Sequence, residues 1–226
     1  MAESISKTLS DATVVVVAQT HNPTIATRDW LISKQVFPER DFEGYEDKFL
    51  HVPVVAQCET KSFHFKVDEH KLEIKCKQCD AEVLERLPQT IGAYVLALPE
   101  TRYTGLGFNF IFDIGFASAQ EREAYVRSRM LSPKFPLLSK EGEPEFDTGL
   151  MLQIRAGNRI VNIRLEPDWS QSARMKANLN FHYTVAGSDA LIERLSEHEH
   201  CRISAFGYLE TLFCSEASDA PMRDRQ

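Results

Sequence analysis

Apolar and polar residues alternate strictly along one stretch near the middle of this chain, from Tyr103 to Phe112. Leu106, Phe108, Phe110 and Phe112 occupy every second position, which is the period of a β-strand with one buried face. The pattern therefore predicts a central strand that packs against the hydrophobic core.

Other stretches with strand character surround this one. Thr13–Gln19 is β-branched and apolar on both faces, as expected of a buried strand at the centre of a sheet. The remaining predicted strands are mostly joined by short turns, and they are Val52–Cys58, Ser62–Val67, Lys71–Lys75, Gly149–Arg155, Arg159–Glu166 and Arg174–Val185. Consecutive strands linked by hairpins predict an antiparallel sheet and disfavour a doubly wound parallel one.

Helical periodicity appears between and after the strands. Apolar residues spaced three or four apart predict an amphipathic helix over residues 81–98. Pro88 falls inside this segment, so the helix either bends there or divides into two. Further helices are predicted over residues 119–130 and within residues 189–213. The fold class is therefore α+β, with a mostly antiparallel sheet and helices packed on one side.

The order of these elements predicts how the chain is divided. Residues 13–131 and 149–214 each form an α+β half, joined by a proline-rich connection over residues 132–148. Residues 1–12 are expected to be flexible and residues 215–226 disordered. The segments LGFNFIFDIG and LNFHYTVAG share an Asn-Phe step, a closing glycine and a following helix, which indicates two related halves or two sheets built alike. We expect the halves to form a single compact unit.

Two short motifs resemble a sporadically distributed family of uncharacterised bacterial proteins. One lies in the N-terminal segment THNPTIATRDWL and the other in the central segment LPETRYTGLGFNF. The matching residues are Asn22, Pro23, Leu31, Leu98, Pro99, Tyr103, Gly107, Asn109 and Phe110. The resemblance covers roughly residues 14–213 and implies no reaction, cofactor or catalytic residue.

Composition and charge narrow the functional class. The formal net charge of −7 argues against broad nucleic-acid binding, because that normally needs a basic face. The polar N-terminus lacks a signal-peptide pattern, and no apolar stretch approaches the 18 or so residues that span a membrane. Five cysteines are an odd number in a chain too long to need disulfide staples. These features predict a reduced, cytoplasmic protein.

The central strand also carries the polar positions that are most informative about a binding site. Gly105 and Gly107 lie on the face opposite the phenylalanines, where they leave room for a backbone, a ring or a ligand. Asn109 and Asn180 are flanked by apolar strand residues, so each needs hydrogen-bond partners. One interpretation is a structural hydrogen bond between sheets. The other is a polar contact in a ligand or partner cleft beside the two glycines.

A CxxC pair, Cys76 and Cys79, is the candidate metal motif. A structural zinc site needs four ligands, and the sequence His-Glu-His-Cys supplies His198 and His200, or Cys201, as the other two. The alternative interpretation places both cysteines at a strand end and helix start without metal. No cofactor is otherwise predicted, and zinc is an alternative only.

The sequence contains no catalytic constellation, so no catalytic residue is assigned and the protein is interpreted as non-enzymatic. The leading hypothesis is a binding or assembly protein that acts through a protein partner or as a homodimer. A second hypothesis is a small-molecule or nucleotide-binding protein, including a hydrolase, with a cleft near Gly105, Gly107 and Asn109. A third is a zinc-stabilised module built on the CxxC pair.

Overall fold

The computed structural model describes residues 5–130 and 149–213. Within these residues, nine strands form one antiparallel sheet in the order β2-β3-β4-β5-β1-β6-β9-β8-β7. The strands are β1 (Ser6–Ala18), β2 (Phe49–Val52), β3 (Val55–Glu59), β4 (Phe63–Asp68), β5 (Lys71–Cys76), β6 (Tyr103–Gly115), β7 (Leu150–Ala156), β8 (Arg159–Pro167) and β9 (Arg174–Thr184). The predicted α+β class with an antiparallel sheet is confirmed.

The two longest strands, β1 and β6, lie side by side at the centre of the sheet. They pair from Ser6 opposite Gly115 to Ala18 opposite Tyr103, with a register shift after Leu9. The prediction of a flexible segment over residues 1–12 is therefore wrong for residues 6–12. These residues are polar, yet they pair along the outer part of β6, and the hydroxyl of Ser10 donates to the carbonyl of Ile111 at 3.2 Å. The sequence of residues 6–12 does not indicate a strand, because the partner strand β6 lies about a hundred residues away in the chain.

In the described part of the chain, five α-helices accompany the sheet: α1 (Arg28–Ser33), α2 (Ala81–Ala97), α3 (Ala119–Tyr125), α4 (Ser188–Leu195) and α5 (His198–Leu212). A short stretch of π-helix, Val126–Met130, continues α3 to the end of the predicted helix. Helices α2, α4 and α5 pack on the sheet face that carries Val14, Phe108 and Phe110, all of which are fully buried. The opposite face, called the open face below, carries polar and half-buried side chains. No helix among the described residues is long and apolar enough to cross a membrane.

Helix α2 runs continuously through Pro88. The side chain of Asp80 caps its first turn by accepting the amide hydrogen of Val83 at 2.9 Å. Pro88 has no amide hydrogen, so the carbonyl of Leu84 loses its usual α-helical donor. Burial of Leu87 and Ile91 against the sheet offsets that loss, because each fully buried side chain of this size stabilises by about 1.5–3 kcal/mol. The helix therefore does not divide at the proline.

The two halves of the chain follow the same path within the shared sheet. In the first half, β5 pairs with β1 and leads into α2; in the second, β9 pairs with β6 and leads into α4. Ile74 lies opposite Val14 and is followed seven residues later by Ala81, the first residue of α2. Phe181 lies opposite Phe108 and is followed seven residues later by Ser188, the first residue of α4. An approximate two-fold axis at the Val14–Phe108 pair therefore relates the halves.

The first half has one extra strand, β2, at its outer edge. The second half has one extra helix, because α5 follows α4 directly. The predicted connection over residues 132–148 and the tail over residues 215–226 lie outside the described residues, as do residues 1–4.

Candidate functional site

A groove lies between α2 and the α4–α5 pair, where the helical layers of the two halves meet. It has a volume of about 960 Å³. Its α2 wall runs from Ala81 to Leu96, so it follows almost the whole helix for about 22 Å at the usual rise of 1.5 Å per residue. We treat this groove as the candidate functional site.

The walls of the groove are mainly apolar. Leu84 and Pro88 line it from α2, and Ile192 and Leu195 line it from α4. The helices approach closely at Gly92, where an added Cβ atom would lie 3.8 Å from the Cδ1 atoms of Ile192 and Leu195. An apolar groove with a few polar groups is typical of a binding site.

The most unusual polar group in the groove is His198, the first residue of α5. Its side chain lines the groove, is 3% exposed, and packs against Phe108 and Phe110 with ring centroids 5.3 Å and 5.4 Å away. Burial lowers the pKa of His198 to about 4, so the ring is neutral at neutral pH. Its Nε2 atom has no hydrogen-bond partner within the described part of the chain. Because buried polar groups are almost always bonded, an unpaired Nε2 atom in this buried ring is unusual.

Charged residues border the groove and give it a net negative rim. The guanidinium of Arg202 donates two hydrogen bonds to the carboxylate of Glu199, at 2.7 Å and 2.5 Å. Glu85 is exposed on α2 and forms no ion pair with any described residue. Since Arg202 is neutralised by Glu199, the unpaired Glu85 leaves one negative charge on the rim.

A buried polar cluster fixes the start of α5 beside the groove. The hydroxyl of Tyr183 on β9 donates to Glu197 at 2.8 Å and lies 3.2 Å from the sulfur of Cys201. Arg159 on β8 donates to the Tyr183 hydroxyl at 3.5 Å, and Glu197 also pairs with Arg194. Burial raises the pKa of Cys201, so its thiol keeps its proton at neutral pH. This cluster holds the residue before His198 in place.

The residues predicted to line a cleft, Gly105, Gly107, Asn109 and Asn180, lie on the open face. Asn180 donates to Asn109 at 2.6 Å, so each has a hydrogen-bond partner, but the bond joins neighbouring strands of one sheet and not two sheets as predicted. An added Cβ at Gly105 would lie 3.4 Å from His182 and from Val17, and one at Gly107 would lie 3.4 Å from Asn180. Both glycines are buried, so the neighbouring side chains close over them.

The two asparagines belong to a longer row of amides, which we call the amide ladder: Gln153, Asn162, Asn180 and Asn109. Gln153 donates to Asn162 at 2.9 Å, Asn162 donates to Asn180 at 3.3 Å, and Asn180 donates to Asn109. The four residues come from four adjacent strands and lie directly opposite one another. Sequence reasoning found the middle pair but not the row, because register between strands is set by the whole sheet.

The predicted zinc ligands do not form a four-residue site. Cys76 is buried at the end of β5, Cys79 and His198 line the groove, and His200 is exposed on α5. Within residues 5–130 and 149–213, no group of three or more His, Cys, Asp or Glu side chains is placed to hold a metal ion. Burial raises the pKa of Cys76 to about 12 and that of Cys79 to about 11, so both thiols are protonated.

The two motifs of the family resemblance meet partly at one end of the sheet. The amide of Gln19 donates to the carbonyl of Arg102 at 3.0 Å, and this contact joins the segments around Asn22 and Tyr103. Asn22 caps the 3₁₀-helix Pro23–Ile25, and the Tyr103 hydroxyl donates to the carbonyl of Leu98 at 3.2 Å. These residues therefore have local structural roles.

His21 at this end of the sheet is a buried residue that sequence reasoning missed. Its ring lies 6.1 Å from that of Tyr94 and 6.0 Å from that of Tyr103, measured between centroids. Neither ring nitrogen has a hydrogen-bond partner in the described structure, nor does the Tyr94 hydroxyl. Burial lowers the pKa of His21.

The groove residues were also missed as a site. The available signals were the small pair Gly92–Ala93 and the apolar Leu96, which is 66% exposed, on the side of α2 that does not face the sheet. Comparison with protein-family models finds no match for this chain, and comparison with curated proteins finds none either.

Proposed function

We propose that this chain is a non-enzymatic binding protein that holds an apolar, helical segment of a protein partner in the groove between α2 and α4–α5. The observation that carries the proposal is the groove itself: apolar along both walls, with the buried and unpartnered imidazole of His198 in its lining. The Nε2 atom is itself buried, so the ring would have to turn toward the groove before a donor on a bound segment could pair with it and remove the cost of leaving it unpaired.

The shape of the groove favours a peptide helix over a compact small molecule. An α2 wall about 22 Å long matches about four turns of α-helix, at 5.4 Å per turn. Amphipathic helices bind in such grooves through apolar side chains spaced three or four residues apart. The walls formed by α2 and α4 give contacts for that spacing.

The charge on the rim indicates what flanks the apolar face of the partner. Glu85 forms no ion pair with a described residue, Arg202 is paired with Glu199, and the His198 ring is neutral, so the described lining does not favour an acidic group. A segment with lysine or arginine beside its apolar face complements the rim. The expected partner segment is therefore an amphipathic helix with basic flanks.

Site-specific photo-crosslinking tests the proposal. A benzophenone amino acid replaces Gln89, which is exposed and lines the groove, and the cells of origin are irradiated. The matched control carries the same group at Gln57, an exposed glutamine on the open face. We expect a protein adduct at position 89 but not at 57, and mass spectrometry should map the linked peptide to an apolar segment with basic flanks.

A synthetic copy of the linked segment then tests the groove directly. We expect it to bind the purified chain and to lose affinity by roughly tenfold or more, equivalent to about 1.4 kcal/mol, when Ala93→Trp fills the groove. Equal adducts at positions 57 and 89, or unchanged affinity in Ala93→Trp, would contradict the proposal. A small apolar molecule retained by the wild type and lost in Ala93→Trp would replace the peptide with a ligand of another class.

A further inference from the structure

The sheet ends at two outer strands, and they differ in how well they are covered. Strand β2 has only four residues, and the ring nitrogen Nε2 of His51 lies 3.0 Å from the carbonyl of Thr24, so the 3₁₀-helix Pro23–Ile25 packs beside it. Strand β7 has seven residues, and no described strand pairs with its outer side. Unpaired strand edges of this length readily pair with another chain.

The side chains of β7 leave apolar surface at this edge. Leu152 and Ile154 face the helices but are only half-buried, because no described element covers them from outside. Met151 on the open face is 78% exposed. Burial of these side chains would favour association.

The amide ladder ends at Gln153, the middle residue of β7. Its Nε2 atom donates one hydrogen to Asn162, which leaves the second amide hydrogen and the carbonyl oxygen without partners among the described residues. An amide with one free donor and one free acceptor is self-complementary. Two such groups facing each other form two hydrogen bonds.

We propose that the chain forms a homodimer in which β7 pairs antiparallel with β7 of a second copy, across a two-fold axis through Gln153. Each Gln153 amide then donates to the carbonyl oxygen of the partner's Gln153, and the amide ladder continues from one subunit into the other. In the same register Leu152 lies opposite the partner's Ile154. Met151 lies opposite the partner's Arg155, which keeps the two arginines apart. The two sheets become one continuous sheet.

Disulfide trapping tests this register. Residues directly opposite each other in an antiparallel pair have Cα atoms about 4.5–5.5 Å apart, which is within the range that a disulfide spans. Gln153→Cys should therefore form an intersubunit disulfide under mild oxidation, in a Cys79→Ser, Cys214→Ser background. Met151→Cys is the matched control, because its two copies are offset by four residues, or roughly 13 Å along the strands. Trapping of Met151→Cys as fast as Gln153→Cys would overturn the proposed register.

Native mass spectrometry tests the dimer without oxidation. We expect a dimer for the wild type and a monomer for Gln153→Lys, because two lysines directly opposite each other repel. Gln57→Lys places the same charge on an exposed position of the open face, on β3, and should remain dimeric. A monomeric wild type, or a dimer that persists in Gln153→Lys, would overturn the proposal.

Discussion

In the first half of the chain, β5 lies beside the long strand β1 and leads into α2, whereas in the second half β9 lies beside β6 and leads into α4. The face toward the helices is apolar in both halves, with Val14 and Ile74 in one and Phe108 and Phe181 in the other, all fully buried. This similarity follows from a shared requirement, since any strand covered by helices must bury one apolar face.

On the open face, by contrast, the two halves carry different kinds of side chain. The two-fold axis at Val14–Phe108 relates the amide ladder of the second half to Gln57, Lys66, Glu73 and Val15 in the first half. All four residues of the amide ladder are uncharged amides that bond to one another, whereas the row in the first half contains side chains of opposite charge. Water satisfies polar groups on an open face, so the halves are free to differ there. The amide ladder is therefore specific to the second half, which also carries the outer strand β7.

The helical layers differ as well, and the groove results from that difference. To the groove, the first half contributes α2, and the second contributes α4 and α5. Helices α2 and α4 meet at Gly92, and α5 brings His198 into the lining of the space that remains. A strictly symmetric molecule would have no α5 and therefore no His198. The binding site proposed above depends on the part of the second half that the first half lacks.

The largest difference between the halves is expected in the free energy of unfolding when a side chain of the shared core is truncated. Phe110 is fully buried and contacts Phe181 and His198, while its counterpart across the axis is the smaller Val16. Phe110→Ala should lower the free energy of unfolding by about 3–5 kcal/mol, and Val16→Ala by about 2 kcal/mol, because the cavity in the second half is larger. Urea denaturation measures both. Equal losses would mean that the halves are packed alike in spite of the size difference.

The next effect concerns His198 and pH. Burial lowers the pKa of His198 in the folded chain to about 4, below the 6.5 of the unfolded chain, so the unfolded state binds more protons between these values. Stability should therefore fall as the pH is lowered from about 6.5 to about 4, by up to about 3 kcal/mol from this residue, and should lose nothing more from it below pH 4.

Denaturation at a series of pH values checks this prediction, with His198→Phe as the comparison. The variant should be less sensitive than the wild type to acid within that window. His21, whose pKa is also lowered by burial, contributes with the same sign in both proteins and cancels in the difference. A His198 ring resonance that titrates near pH 6.5 in NMR spectra of the folded protein would show that the imidazole is accessible to water.

Each half also anchors its elements with a polar group, and these anchors differ in expected strength. In the first half, Arg86 of α2 pairs with Asp41, whose side chain is 5% exposed. Asp41→Ala leaves a guanidinium that is only 25% exposed without its partner, and should cost about 2 kcal/mol. In the second half, Tyr183→Phe removes the donor to Glu197 and should cost about 1 kcal/mol. Thermal unfolding of the two variants measures both losses of stability. A larger loss for Tyr183→Phe than for Asp41→Ala would contradict the prediction.

Local patterns in the sequence predicted the strands well. The phenylalanines of β6 and the hairpin of β7 and β8 were predicted almost to their ends, because alternation of apolar side chains is visible within a few residues. Residues 6–12 were missed because their strand character comes from β6, which supplies the partner backbone. A polar segment can therefore form a strand when a long neighbouring strand supplies backbone hydrogen-bond partners for it.

The candidate site was harder to predict than the sheet. Asn109 and Asn180 were correctly identified as residues that need hydrogen-bond partners, but their partners depend on the register of β6 against β9. His198 was considered as a metal ligand from its His-Glu-His-Cys context. Its ring instead packs on Phe108 and Phe110, residues about ninety positions away in sequence. The groove arises from the packing of three helices, and no short segment contains it.

The smallest effect is the most direct measure of how the open faces differ. Asn180→Ala removes the centre of the amide ladder and leaves Asn162 without its acceptor and Asn109 without its donor, both in half-buried positions. We expect the free energy of unfolding to fall by about 1 kcal/mol, because water partly replaces one of the two hydrogen bonds that are lost. Its counterpart Glu73→Ala removes a partly exposed ion pair with Lys71, which should cost less than about 0.5 kcal/mol. Equal losses in urea denaturation would mean that the ladder contributes no more than a surface charge pair, and that its conspicuous order serves the outer strand β7 instead of the stability of the monomer.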